Sequence, residues 1–177
     1  EERIRLLNTS RNSLFDLCQQ IIEELRQSLI ESLGENASVS LINSSFDNVK
    51  KNKAGVFQRD YFFAQIVDFA KRNKYFFNAT LPKAWIKLSM EVGNEQVYHL
   101  VFSMHHFGFD ESSIAIGSFF EIRKYDQIGV ENVVLPIDLP PHVVSIGGTD
   151  IASQHKNIRR YLEDALTIAI SYVIREL

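Results

Sequence analysis

The sequence predicts an α+β domain: a mainly antiparallel, curved sheet centred on a meander over residues 84–124, packed by long helices at the two ends of the chain. Three observations predict it. Residues 84–124 hold three stretches that alternate apolar and polar side chains, separated by glycine-containing turns. Residues 3–33 and the segment after Asp150 instead repeat apolar residues at steps of three and four. The composition, 45% hydrophobic and 23% charged over 177 residues, fits one globular domain with a full core.

The meander is the clearest element. In Ala84–Val92, Ile86, Leu88, Met90 and Val92 share one face, and Trp85, Lys87, Ser89 and Glu91 share the other. Gln96–Phe107 repeats the pattern with Tyr98, Leu100, Phe102 and Met104. A three-residue turn, Gly93-Asn94-Glu95, sets Met90 opposite Tyr98 and keeps the apolar faces together; a two-residue turn mixes them. Ser113–Lys124 follows as a third strand with Ile114, Ile116, Phe120 and Ile122 inward. Gly117 within it is read as a bulge or a close backbone approach.

The N-terminal helix is expected over Arg3–Leu33, with an interruption or a cap near Asn8-Thr9-Ser10. Its stripe runs Leu14, Leu17/Cys18, Ile21/Ile22, Leu25, Leu29 and Leu33, and Gly34 is its stop. That stripe serves either to lay the helix on the sheet or to make a dimer seam or continue a signalling helix. Ala37–Ile42 reads as a short strand, residues 43–55 as a polar loop and Phe57–Asn73 as a second helix. Val130–Ile137 and His142–Ile146 are strand-like, and the prolines between them put these pieces at an edge or in an extended loop. The C-terminal helix follows Gly147-Gly148, capped by Thr149 or Asp150, with Ile158, Leu162, Ala165, Ala169 and Val173 in its stripe.

Charge and cysteine content narrow the setting. The net charge of −3 gives no overall case for a nucleic-acid or membrane partner, and no apolar run approaches the roughly 20 residues of a membrane span. The single cysteine, Cys18, excludes an intramolecular disulfide and fits a cytoplasmic location. Four Asn-x-Ser/Thr sequons, at Asn8, Asn36, Asn43 and Asn78, only permit glycosylation. The chain starts Glu1-Glu2 rather than with methionine, which fits a fragment or a processed product.

Local charge offers three candidate sites. Residues 47–87 carry nine Lys/Arg against three Asp, among many aromatics; Lys50, Lys51 and Lys53 head that list as ligands for an anionic partner or nucleic acid. On the C-terminal helix, His155, Lys156, Arg159 and Arg160 follow a helix N-terminus, where an anion is favoured. The outer face of the meander gathers acidic residues and an imidazole. With Met104 paired to Ile114, Glu91, Glu121, His99 and Arg123 come close on that face, as an acid–base or metal-binding set.

A magnesium-dependent nuclease would use Asp110 with Glu121-Ile122-Arg123-Lys124, but a straight strand separates Asp110 from Glu121 by roughly 36 Å. His105 and His106 are strand neighbours and point to opposite faces, so they do not share one ion. No nucleophile motif, phosphate loop, dinucleotide fingerprint or zinc pattern occurs. The sequence therefore points to a non-catalytic regulatory, sensor or protein-interaction domain that self-associates through its terminal helices. A nucleic-acid-binding protein or nuclease is the alternative.

Overall fold

The computed structural model describes residues 2–35, 37–46, 84–92, 96–107, 112–125, 130–137, 139–148 and 150–176. Helix α1 (Glu2–Leu33) leads into strand β1 (Ala37–Ser44). The meander follows as β2 (Ala84–Val92), β3 (Gln96–Phe107) and β4 (Ser113–Tyr125). Strands β5 (Val130–Pro136) and β6 (His142–Ser145) precede a short 3-10 turn (Ile151–Gln154) and helix α2 (His155–Glu176). The strands form one antiparallel sheet in the order β1-β2-β3-β4-β5, with β6 also on β4. The architecture is α+β and the sheet is open.

Helix α1 has no break at Asn8-Thr9-Ser10. It runs unbroken for 32 residues, because the Thr9 hydroxyl donates to the Arg5 carbonyl one turn back instead of capping a new start. Gly34 ends it in the left-handed region at φ 86°, donating its N–H to the Ile30 carbonyl. At the other end Asp150 is the cap, accepting from the Ala152 N–H.

The β2–β3 register is the one the apolar pattern demands: Met90 faces Tyr98, Leu88 faces Leu100 and Ile86 faces Phe102. The β3–β4 register differs from the sequence expectation by two residues. Met104 pairs with Ile116 rather than Ile114, which brings His99 opposite Glu121. Nor is Gly117 a bulge on this side, since the pairing runs unbroken from Gln96↔Lys124 to Phe107↔Ser113. The interruption lies on the other side of β4, where β5 hands over to β6. Phe119 still pairs with Pro136, but Ile116 pairs with His142, so the residues between them, including Pro140 and Pro141, leave the ladder.

The core lies between the sheet and the two helices. From α1, Leu14, Cys18, Ile21, Ile22 and Leu29 are buried; from α2, Ile158, Leu162, Ala165, Ala169 and Val173. They meet Ile86, Leu88, Met90, Leu100, Phe102, Met104, Ile116 and Phe120 on one face of the sheet. Phe120 is the centre of a three-ring stack, 5.8 Å from both Tyr98 and Tyr172. Arg159 ties the helices together through Glu24 at 2.7 Å and also binds Glu163 at 2.8 Å. The stripes that were candidates for a dimer seam are thus spent on the sheet. Among the described residues, the large hydrophobics that remain exposed on the helices are Ile4, Leu6 and Ile174. No described helix is long and apolar enough to cross a membrane.

Candidate functional site

Side chains alternate across the sheet, so β2, β3 and β4 present a second face away from the helix-packed core. The paired strands order it in rows. Ser89, His99 and Glu121 form one row, and Lys87, Val101 and Phe119 the next. Trp85, Ser103 and Gly117 follow, while Glu91, Val97 and Arg123 lie on the other side of the first row. Ser89, His99, Ser103, His105 and Glu121 are buried here along with Val101, Ala115 and Phe119. These apolar residues do not belong to the helix-packed core. Five buried polar side chains on one sheet face need partners, because each unsatisfied one costs free energy.

Glu121 is the hub. It is 3% exposed, accepts a hydrogen bond from His99 Nδ1 at 3.2 Å, and has Arg123 Nε 3.6 Å from the same oxygen. A carboxylate on Nδ1 assigns that proton to Nδ1 in the neutral ring. Burial pushes the His99 pKa down; the hydrogen bond to Glu121 opposes this, and the charge of Lys87 reinforces it. Lys87 is half-buried with its ammonium 5.8 Å from the Trp85 ring centroid. Its pKa is lowered by burial and then by the neighbouring Arg123 charge, against the pull of Glu121. One row beyond Trp85, His105 Nε2 and the Ser103 hydroxyl are 3.1 Å apart.

With His99 neutral, Lys87 and Arg123 are the cations whose charges act beside the Glu121 carboxylate. The Arg123 side chain is 37% exposed, yet its Nε is buried with no hydrogen-bond partner among the described residues. Arg123 therefore places a guanidinium beside the buried carboxylate, a group suited to an anion.

The expected set assembles only in part. His99, Glu121 and Arg123 come together, while Glu91, one row away, is exposed. Asp110 lies outside the described residues, as do Lys50, Lys51, Lys53 and the helix expected at Phe57–Asn73. Among the described residues no three His, Cys, Asp or Glu side chains converge as a metal site. On α2, His155, Lys156 and Arg160 are exposed, whereas Arg159 is engaged by Glu24 and Glu163. Cys18 is fully buried and its thiol is pushed up to about 12, which marks it as packing.

No family model, curated protein or solved structure matches the chain. The site must be read from its own chemistry.

Sequence reasoning missed Lys87 as a member of the cluster, and it missed Ser89. The signal for Lys87 was present: a lysine at an outward position of a central strand, two rows from a carboxylate on the same face. Ser89, His99 and Glu121 in one row are the residue types of a relay that activates a serine. Yet no hydrogen bond joins Ser89 to His99 among the described residues. A regular ladder also turns its central N–H groups into the sheet, where they do not form an oxyanion hole.

Proposed function

We propose that this chain is a non-catalytic binding module of the regulatory or sensor kind, and that its ligand is a small anion held on the outer sheet face by Arg123, Lys87 and His99. One observation carries the reading: Arg123, beside the buried Glu121 carboxylate, keeps a buried Nε with no hydrogen-bond partner among the described residues. Glu121 then fixes the positions of His99 and Arg123, and Arg123 meets the ligand at the open margin. The nucleic-acid alternative draws its support from the sequence of residues 47–87 and gains none from the described geometry.

Thermal unfolding in the presence of inorganic phosphate, citrate, dicarboxylates and nucleotides tests the proposal. A ligand at about a hundred times its Kd adds about 2.7 kcal/mol of stability. At least one of these anions should raise Tm, with Arg123→Ala removing the shift while leaving the unliganded Tm close to the wild-type value. If no anion stabilises the wild-type protein, or if Arg123→Ala keeps the full shift, the proposal fails.

A further inference from the structure

The two edges of the sheet are built differently. At one edge β5 and β6 share a position, interrupted by a segment containing Pro140 and Pro141, and Pro136 ends β5. Prolines and breaks of this kind stop a foreign strand from pairing. At the other edge, β1 pairs without interruption from Ala37↔Val92 to Ser44↔Trp85. Its sequence, Ala-Ser-Val-Ser-Leu-Ile-Asn-Ser, has no charge, no proline and no bulge. Among the described residues no strand pairs with its far side. On the outer face of this strand, in the row of Lys87, Ile42 is 46% exposed, the only exposed large hydrophobic among the described residues of β1, β2, β3 and β4.

We infer that the β1 edge is a strand-pairing site, and that its occupant is a second copy of this chain, joined β1 to β1 about a two-fold axis. The register follows from Arg26. Its guanidinium, held by Glu23 at 2.8 Å, donates to the Val39 carbonyl at 2.7 Å. A side-chain donor from the helix layer reaches that oxygen when it is turned away from the β1–β2 ladder. Backbone groups alternate along a strand, so Val39, Leu41 and Asn43 turn their amides and carbonyls to the free edge.

With the Val39 carbonyl already capped, Leu41 and Asn43 remain. Pairing Leu41 with Asn43 of the second copy, and Asn43 with its Leu41, satisfies these groups symmetrically. It also sets Ile42 directly opposite its own mate, covering the exposed side chain by a self-complementary contact. An uncharged strand meets no like charge in its copy. Helix α1 lies over β1 and β2, and strands are about 4.8 Å apart, so the two copies of α1 come to lie roughly 10 Å apart, an ordinary helix-packing distance.

Sedimentation of the full chain over a concentration series tests this, together with Ile42→Lys, Ile4→Glu, Ile174→Glu and an oxidative cross-link. The wild-type chain should form a dimer. Ile42→Lys, an exposed change that leaves the core alone, should weaken it at least about tenfold by placing like charges opposite each other. Ile4→Glu and Ile174→Glu should leave it intact. Ile42→Cys, oxidised with glutathione disulfide, should give a covalent dimer where Ser38→Cys does not, since paired positions bring the two Cβ atoms within disulfide reach.

A wild-type chain that stays monomeric at every concentration overturns the inference. So does a dimer that survives Ile42→Lys but is lost with Ile4→Glu or Ile174→Glu, which would place the contact on the helices. Equal cross-linking through both cysteines would indicate chance collision and overturn it as well.

Discussion

On the helix-covered face, the central side chains of β2, β3 and β4 are apolar except for Ser118, whose hydroxyl meets the Tyr161 hydroxyl at 3.0 Å. On the opposite face the same strands bury His99, Ser103, His105 and Glu121 between Val101 and Phe119. The first face gains stability from area and shape, with side chains that need no partner. The second holds groups whose burial costs free energy until each finds one. A sheet does not need the second kind of face to be stable. Polar groups kept there at such a cost are where binding should be sought.

The largest expected effect is on the apolar face. Phe120→Ala removes the middle ring of the Tyr98–Phe120–Tyr172 stack and should cost about 3–5 kcal/mol in chemical denaturation. A loss below about 1 kcal/mol would mean that this face is not the main source of stability. Glu121→Ala should come second, at about 1–3 kcal/mol, because it leaves His99 without its acceptor and removes the carboxylate beside Arg123. Glu121→Gln should recover part of that loss, since the amide oxygen can still accept from His99. If both variants are as stable as the wild type, the polar face is no more than a solvated surface.

How much of this contrast is legible in the sequence depends on the symmetry of the signal. Apolar alternation sets the parity of a strand, because a one-residue slip exchanges its faces. It therefore settled the β2–β3 register, where a neighbouring turn length breaks the pattern. A two-residue slip preserves every face. In β3–β4 the offsets placing Met104 on Ile114 or on Ile116 satisfy the pattern equally, and only the second puts His99 opposite Glu121. The core was legible for that reason and the pairing inside the candidate site was not. The continuity of α1 through Thr9 was hidden for a different reason. Asn, Thr and Ser favour helix starts, and a hydroxyl bonding backward to Arg5 leaves no trace in the composition.

A smaller effect is expected where the apolar face admits a polar pair. Tyr161→Phe leaves the Ser118 hydroxyl buried without its partner and keeps the ring packed beside His142 at 5.8 Å. Stability should fall by about 0.5–1.5 kcal/mol. Ser118→Ala made together with Tyr161→Phe should cost less than the two single changes added, because neither group is then left unpaired. Additive losses would show that the two hydroxyls do not interact.

The smallest effect at neutral pH, and the most discriminating, comes from His99. Two opposing influences act on it, burial favouring the neutral ring and the Glu121 hydrogen bond favouring the charged one, and burial prevails. Its folded pKa lies below that of about 6.5 in the unfolded chain, so below about pH 6.5 the unfolded state binds more protons. The stability this neutral ring contributes is present above that pH and is lost as the pH falls through the folded pKa. His142, also lowered by burial, adds to the same slope. His99→Gln should therefore flatten the acid-side fall in stability without abolishing it, and should change stability near pH 8 only slightly. If the variant instead loses stability more steeply on acidification, His99 is held as the cation by Glu121. The outer face would then be an ion-paired structural layer rather than a binding surface.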